Sequence, residues 1–334
     1  MYIVESYSVA IIFLIISMFG WGSWANTLKL SPKNWAFPLY YWDYSIGLIV
    51  FALLMGFTMG SFGDGGRGFY GDLLQANWGA ISAAFIGGVI FNLSNLLIVA
   101  ATDIAGMAVA FPIAVGLALV IGVIVNYIAE QTGNPFLLFI GVGLITLAII
   151  VNALAYRKVS ESSGKSIKKG IIISIVSGII MGFFYRFVAA SISADFMVPE
   201  VGKMTPYTAV LVFAIGVFIS NFIINSVFMY KPVSGEPVTY QDYFKRGSFK
   251  IHLIGILGGI IWNIGLLFSL IASEKAGAAI SYGMSQGATM IAAAWGVFVW
   301  REFKSAPKSV NGLLTLMFIF FISGLMLIIL ARNY

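Results

Sequence analysis

The chain has 334 residues, of which 60% are hydrophobic and only 10% charged, and its mean hydropathy is +0.97. An ordinary soluble domain carries about 25% charged residues, so the composition excludes that class and indicates an integral membrane protein. The chain has no cysteine, which excludes disulfides, thiolate catalysis and cysteine metal sites. Its net charge of +6 lies mostly in loops, where membrane topology rather than nucleic-acid binding explains it.

Ten apolar runs follow one another along the chain, each long enough to cross about 30 Å of hydrocarbon at about 1.5 Å per residue. They lie near residues 8–26, 38–60, 79–101, 104–129, 135–156, 170–193, 206–230, 251–272, 276–300 and 310–331. Three of them begin at Pro38, Pro135 and Pro206, because a missing N–H costs nothing in the first turn of a helix. The sequence therefore predicts an all-α integral membrane protein with ten transmembrane helices.

The basic residues predict how these helices are oriented. The connections on one side hold 14 lysines and arginines, five of them between residues 157 and 169, whereas the other side holds four. Basic loops stay in the cytoplasm. The segment 157–169 is therefore predicted to be a basic cytoplasmic loop of a multi-pass protein of the inner cell membrane, with both termini outside.

A segment that begins at Gly87 returns 171 residues later at Gly258, and seven of eight aligned positions are identical. The eighth pairs Asp103 with Glu274. Repetition at half the chain length is typical of membrane transporters. Because each half holds five predicted helices, an odd number, the second copy crosses the membrane in the opposite direction. The sequence predicts two inverted five-helix repeats, 1–156 and 170–334.

Two charged residues lie well inside the predicted spans, Asp43 in the second and Arg186 in the sixth. Charge within a membrane is expensive unless it is paired or faces a cavity. Asp43 is therefore a candidate proton-coupling residue, and Arg186 a candidate substrate-binding or gating cation. The alternatives are that Asp43 caps its helix or pairs with Lys29 or Lys33, and that Arg186 snorkels outwards or pairs with Asp195.

Neutral polar and aromatic side chains complete the candidate substrate site. They are Trp21, Ser23, Trp24, Asn26, Asn92, Asn95, Tyr185, Asn263, Tyr282, Ser285 and Gln286. Rings for stacking and amides for paired hydrogen bonds suit a neutral polar solute. The alternative is that these residues join neighbouring helices, as Ser and Asn commonly do in membranes. The lone histidine, His252, is interpreted as structural or interfacial, and the sequence predicts no metal and no cofactor.

Five short motifs make the chain resemble the plant ureide permeases. They are Met-Tyr-Ile-Val-Glu-Ser at 1–6, Tyr-Trp-Asp-Tyr-Ser at 41–45, Pro-Tyr-Thr-Ala at 206–209, Gly-Gly-x-x-x-Asn at 258–263 and Gly-Val-Phe-Val-Trp-Arg-Glu-Phe-Lys at 296–304. That family belongs to the drug/metabolite transporter superfamily, beside the bacterial glucose/ribose and rhamnose uptake carriers. The resemblance implies ten helices, outward termini and proton-coupled uptake of allantoin-like ureides, uracil or xanthine.

The central loop departs from the plant pattern. Plant members resemble one another in a long central loop with a nucleotide-binding-like motif. Here the loop is short, and Gly164-Lys165-Ser166 lacks the glycine at position 159 that a phosphate-binding loop requires. This departure weakens the transfer of a substrate from the plant members to this chain.

The function predicted from these observations is secondary active import of a small neutral polar solute, a ureide or nucleobase, with protons entering through Asp43. The alternative is a sugar uptake permease. An intramembrane enzyme ranks lower because no nucleophile–base cluster is visible, and a drug or metabolite exporter ranks lower because Asp43 lies near one end of its span and not at mid-membrane depth. The expected partners are the substrate, a proton or sodium ion, and the lipid bilayer, in a monomer or homodimer. The two halves are expected to rock about the site. Glu130 and Glu302, which follow the matched fourth and ninth helices, are expected to form latches with basic loop residues.

Overall fold

The computed structural model describes residues 1–158, 167–233 and 235–333. Most of the predicted basic loop, residues 159–166, lies outside the described residues. The helices of the first half are α1 Tyr7–Ser23, α2 Asn26–Leu30, α3 Phe37–Phe57, α4 Phe69–Gln75, α5 Trp78–Ala105, α6 Met107–Ala129 and α7 Pro135–Arg157. Those of the second half are α8 Ile167–Ser191, α9 Pro206–Asn221, α10 Ile224–Tyr230, α11 Tyr240–Arg246, α12 Phe249–Ala276, α13 Ala278–Ser285, α14 Ala288–Ala294 and α15 Ser309–Leu330. The predicted all-α class is confirmed.

Nine helical stretches in the described part of the chain are long and apolar enough to cross a membrane. The span predicted at 276–300 is divided instead of continuous: α13 ends at Ser285, α14 begins at Ala288, and a π-helical turn covers Trp295–Val299. Glycine is a poor helix former, and Gly287 lies at the break. A Cβ added to Gly287 would meet the Leu325 side chain at 2.8 Å, so bare backbone packs against its neighbour there.

The predicted proline starts are confirmed, since α3, α7 and α9 each carry a proline in the first turn. Helix α6 continues through Pro112, which interrupts its hydrogen-bond ladder without ending the helix.

The two halves contain equivalent elements. Helices α5 and α12 begin at 78 and 249 and end at 105 and 276, a shift of 171 at both ends. The short helices α4 and α11 begin at 69 and 240 and end at 75 and 246, with the same shift. Each long helix is followed by a glycine in the same conformation, with φ of 81° at Gly106 and 84° at Gly277. A side chain would strain that backbone, which is why glycine stands at both positions.

The long helices of each half pack mainly on the other half. Helix α5 packs against α8 and α9, and α12 packs against α1 and α3. A Cβ added to Gly88 would lie 2.2 Å from the carbonyl oxygen of Phe213, and one added to Gly259 would lie 2.0 Å from that of Tyr44. Bare glycine backbone therefore lets the helices approach closely, as is common in membrane bundles. This packing brings residues of both halves into one core.

Candidate functional site

Seven aromatic side chains from seven helices meet in the core and form what we call the central aromatic cluster. Its members are Trp21, Tyr44, Phe91, Phe184, Phe213, Trp262 and Tyr282. The ring centroid of Trp262 lies 4.3 Å from that of Phe91, 5.6 Å from that of Trp21 and 5.7 Å from that of Phe213. Both halves of the chain therefore contribute faces on which a flat solute can stack.

Two polar groups at the edge of this cluster have no hydrogen-bond partner within the described part of the chain. They are the indole Nε1 of Trp21 and the hydroxyl of Tyr44, and both atoms are buried. Leaving a buried polar group unpaired costs about 1–3 kcal/mol. The indole lies flat on α12, because a Cβ on Gly265 would come within 2.2 Å of its ring. These two groups can therefore bind the polar edge of a ligand.

A chain of hydroxyl groups runs beside the cluster through four helices. Ser17 donates to Ser285 over 2.9 Å, and Ser285 donates to Ser269 over 3.0 Å. The hydroxyls of Ser269 and Tyr185 are also 3.0 Å apart. The Tyr185 ring lies 5.1 Å from that of Tyr282, whose hydroxyl donates to the backbone of α6. The predicted site residues Tyr185, Tyr282 and Ser285 thus lie together, beside Trp21.

The predicted amides Asn92 and Asn263 hold helices together. The Asn92 Nδ2 donates to the Val217 carbonyl over 3.3 Å and to Ser220 over 2.7 Å, and the Asn263 Nδ2 donates to the Leu48 carbonyl over 2.7 Å. Each side-chain oxygen is buried without a partner within the described part of the chain. This geometry matches the interhelical alternative, and their contact with substrate stays a prediction.

Asn95 and Gln286 extend the polar surroundings of the cluster. The Asn95 side chain donates to the Tyr41 hydroxyl over 3.2 Å, and the Tyr41 ring stacks on that of Tyr44 at 5.2 Å. Gln286 lies at the break between α13 and α14, where glycine follows it. Asn95 therefore reaches the cluster through Tyr41, and Gln286 reaches it through a side-chain hydrogen bond with Tyr282.

Ser23, Trp24 and Asn26 lie further along α1 and α2. Ser23 accepts a hydrogen bond of 2.8 Å from the Trp295 indole, and Asn26 accepts one of 2.6 Å from the Trp300 indole. The Trp24 ring lies 5.2 Å from that of Tyr44. The structure thus separates Ser23 and Asn26 from the central aromatic cluster and places them against the segment that follows α14.

The contacts of Ser23 and Asn26 lie at the end of the bundle that carries Lys29, Arg157 and Arg246, which we call the basic end. Lys29 forms an ion pair with Glu302, and the Tyr156 hydroxyl donates to the same carboxylate over 2.6 Å. The Lys29 ammonium also lies 4.6 Å from the centre of the Trp300 ring. Glu302 therefore has a basic partner, as the latch prediction requires, whereas Glu130 accepts hydrogen bonds from the Thr132 hydroxyl and the Ala278 backbone.

Asp43 lies in a polar cluster that the sequence did not reveal. Its side chain is 1% exposed, and its carboxylate accepts a 2.5 Å hydrogen bond from the Tyr243 hydroxyl. The Nδ1 of His252 lies 2.9 and 3.0 Å from the two carboxylate oxygens. Asp43 thus has partners other than the lysines considered for it.

Arg186 stands apart from these groups. Its side chain is half-buried on α8, with no hydrogen bond or ion pair to any residue that the structure describes. Asp195, its suggested partner, instead accepts hydrogen bonds from the backbone of Met197 and Val198. The role of Arg186 in binding stays a prediction.

Sequence reasoning missed the partners of Asp43 and five members of the cluster, which are Tyr44, Phe91, Phe184, Phe213 and Trp262. One signal was present: Phe91 and Trp262 occupy aligned positions within the repeated segments. An aromatic residue at both positions is what places two rings against each other where the halves meet.

A multi-span helical bundle with a buried aromatic and polar core is typical of membrane transporters. The family model for ureide permeases matches residues 40–163 and 153–331. The chain therefore belongs to the ureide permease family, and it is a multi-pass membrane transport protein. This finding confirms the resemblance seen in the sequence.

Several relatives are similar over most or all of the chain. Ureide permease 2 of Arabidopsis thaliana is 24% identical over 405 aligned positions and covers 100% of both chains, and Ureide permease 1 of the same plant is 23% identical with the same coverage. The glucose uptake protein GlcU of Bacillus subtilis is 26% identical over 66% of this chain and 69% of its own. A solved crystal structure superposes with a TM-score of 0.63 over 98% of both chains at 15% identity, which shows a shared fold.

Proposed function

We propose that this chain imports a small, neutral, planar polar solute of the ureide or nucleobase class, driven by protons. The observation that carries the proposal is the central aromatic cluster with two unpartnered polar groups at its edge, Trp21 Nε1 and the Tyr44 hydroxyl. Ureides and nucleobases combine a flat ring with carbonyl acceptors and N–H donors. The ring would stack on the cluster while its carbonyls accept from Trp21 and Tyr44.

Relatives named ureide permeases, similar over the whole chain, support this substrate class. We place the predicted site residues Tyr185, Tyr282, Ser285 and Gln286 around the same solute. Asn92, Asn95 and Asn263 would support its walls, and Ser23, Trp24 and Asn26 would line its exit. Arg186 remains a candidate gating cation.

A sugar is the second candidate substrate. The similarity to the glucose uptake protein of Bacillus subtilis favours it, and sugars also stack on aromatic rings and bind hydroxyl chains such as Ser17–Ser285–Ser269. A sugar lacks a flat face and presents many hydroxyl groups. It would therefore depend more on the serine chain and less on the indole N–H of Trp21.

Transport would proceed by alternating access of two inverted repeats, residues 1–156 and 170–334, joined by the basic loop 157–169. The equivalent elements of the two halves support this division, and so do the matching glycines Gly106 and Gly277. The halves would rock about the central aromatic cluster, and the Lys29–Glu302 contact would close the basic end.

We further propose that the protein resides in the inner cell membrane as a monomer or homodimer, with its basic end in the cytoplasm and both termini outside. The coupling ion would be a proton, with sodium as the alternative. Asp43 is the proposed coupling residue, because it is a buried acid on α3 and directly precedes Tyr44 of the cluster.

Thermal stabilisation of the purified protein tests the substrate class. A panel of allantoin, uracil, xanthine, ribose, glucose and rhamnose would be added to the wild type and to Trp21→Phe, which keeps an aromatic ring and removes the N–H donor. A ligand at 100 times its dissociation constant stabilises the folded state by about 2.7 kcal/mol. We expect a ureide or nucleobase to raise the melting temperature of the wild type, and to raise that of Trp21→Phe by less.

The matched control is Trp78→Phe, because the Trp78 side chain is 80% exposed and far from the cluster. It should leave the stabilisation unchanged. Stabilisation by sugars alone, insensitive to Trp21→Phe, would replace the ureide proposal with the sugar candidate.

A further inference from the structure

Resting on the proposed proton-driven uptake, we propose that Asp43, His252 and Tyr243 form the proton site of the transport cycle. In this site the His252 imidazole holds the coupling proton beside the buried Asp43 carboxylate and exchanges it with the water at the basic end. The sequence alone predicts Asp43 as the coupling residue and favours a structural or interfacial role for His252.

The geometry joins three separate elements at one carboxylate. Tyr243 from α11 donates to Asp43 of α3 over 2.5 Å, and His252 from α12 lies 2.9 and 3.0 Å from its two oxygens. The exposed fractions differ, at 1% for the Asp43 side chain and 26% for the His252 side chain. The imidazole is therefore the group that connects the buried acid with solvent.

Glycine brings the elements this close. A Cβ on Gly255 would lie 2.4 Å from the Asp43 Cβ, and one on Gly247 would lie 2.2 Å from the His252 Nε2. The Trp35 ring packs edge-on against the imidazole, with centroids 5.7 Å apart. The His252 ring is thus held from several sides with its Nδ1 directed at the acid.

The equivalent place in the other half has a different chemistry. Asp72 occupies the position that corresponds to Tyr243 after the shift of 171, and its carboxylate accepts from Arg67 over 3.0 Å and from the Thr205 backbone over 2.7 Å. A guanidinium does not release its proton in proteins, whereas an imidazole ordinarily does so near neutral pH. The Asp72 cluster is therefore a fixed pair, and the Asp43 cluster is the one that can exchange a proton.

The proton balance has two states. In the loaded state the Asp43 carboxylate faces a His252 imidazolium, and the pair is neutral. Release of one proton from Nε2 to water leaves a neutral imidazole whose Nδ1–H still donates to the carboxylate, and the pair carries one negative charge. Burial and the bond to Asp43 raise the pKa of Tyr243, so its hydroxyl donates in both states.

The neighbouring ionisable groups do not replace these three. Tyr40 is the other titratable group on α3 that interacts with Asp43, and its hydroxyl is engaged with Thr27. On α11, Asp242 pairs with Arg246 near the surface, and Arg246 also donates to the Asn34 carbonyl. Lys245 of α11 and Lys250 of α12 are exposed.

Proton release would be coupled to substrate through α3. Tyr44, which follows Asp43 directly, contributes its ring to the central aromatic cluster. An uncompensated buried charge is costly, so the negative state favours hydration of the Asp43 cluster and movement of α11 away from α3. Movement of α3 at Asp43 would shift Tyr44 at the same time.

Transport in proteoliposomes with allantoin as probe tests this coupling. Across about two pH units, one proton per substrate supports up to about 100-fold accumulation, since each pH unit corresponds to a factor of ten. We expect His252→Gln and Asp43→Asn to abolish this accumulation while allantoin exchange at equal pH stays within about twofold of wild type. Asp64→Asn, an exposed acid at the opposite end, is the control and should accumulate normally.

If His252→Gln accumulated allantoin to the wild-type level, the proposal would be overturned. It would also be overturned if this variant lost accumulation and exchange to the same extent, because that result indicates a purely structural role. The Tyr243→Phe variant should accumulate less allantoin than Tyr240→Phe, the matched change on α11. Of these two tyrosines, only Tyr243 donates a hydrogen bond to the Asp43 carboxylate.

Nuclear magnetic resonance of the single imidazole separates this proposal from the substrate class. With a purification tag free of histidine, the imidazole signals come from His252 alone. We expect the pH profile of these signals to differ between the wild type and Asp43→Asn, because the charge adjacent to the ring is removed. Identical profiles would overturn the proton site even if allantoin is transported. A displaced profile without allantoin transport would refute only the substrate.

Discussion

Phe91 and Trp262 occupy aligned positions of the two repeated segments, and their ring centroids are 4.3 Å apart. Two aligned positions therefore supply the two sides of a contact between the halves. Both rings lie on the long helices that pack across the halves, and both are at most 5% exposed. A solute bound at this contact would touch both halves at once, which is what alternating access requires.

Close packing of α12 on α3 depends on Gly259. We expect Gly259→Ala to lower the free energy of unfolding by about 1–3 kcal/mol, the usual cost of overpacking, because the added Cβ would lie 2.0 Å from the Tyr44 carbonyl oxygen. Gly116→Ala in α6 is the matched control, since nothing lies within 4 Å of its Cβ. Thermal unfolding of both variants measures this difference. An equal melting temperature for the two would contradict the close approach of α12 to α3 at Gly259.

The Lys29–Glu302 contact should depend on pH in a defined direction. Burial alone would raise the pKa of Glu302, but the hydrogen bonds from Lys29 and Tyr156 outweigh it and hold the pKa below the ordinary 4.5. The stabilisation is then present above pH 4.5 and is lost as the pH falls through the lower pKa of the folded state.

A double-mutant cycle of Lys29→Gln and Glu302→Gln measures that contact. We expect a coupling free energy of about 0.2–1 kcal/mol at pH 7, as for other partly exposed ion pairs, which declines in acid and at high salt. Coupling that persists unchanged at pH 3 would show that the carboxylate does not carry the interaction.

Orientation in the membrane can be read with single thiols, because the chain has no cysteine. Ser61 and Ser305 are both exposed, in the connections after α3 and before α15. A membrane-impermeant maleimide should label Ser61→Cys in intact cells and Ser305→Cys only after the membrane is opened. The reverse pattern would invert the proposed topology.

The sequence predicted the helical class, nine of the ten spans and the aligned positions of the repeat, because apolar run length and spacing are local properties. It could not predict that Asp43 meets His252, since those residues are 209 positions apart and join through the packing of α3 on α12. The division of the span predicted at 276–300 also escaped the hydropathy pattern. That pattern averages over Gly287, where the helix is interrupted.

The amides Asn92 and Asn263 decide between two interpretations of the core. Each donates to the backbone of a helix in the opposite half, over 2.7 Å at Asn263 and 3.3 Å at Asn92, and each retains an unpaired oxygen within the described chain. If they hold helices together, Asn92→Ala and Asn263→Ala should each lower the free energy of unfolding without ligand by about 0.6–2 kcal/mol.

Under that interpretation the dissociation constant of the solute should stay within about threefold of wild type, since 1.4 kcal/mol is needed for a factor of ten. Asn311→Ala, an exposed amide on α15, is the control for both measurements. A tenfold weaker affinity with unchanged stability would instead place the two amides in contact with the solute. Because the two residues are equivalent in the repeat, we expect both to give the same answer, and a difference between them would show that the solute breaks the symmetry of the site.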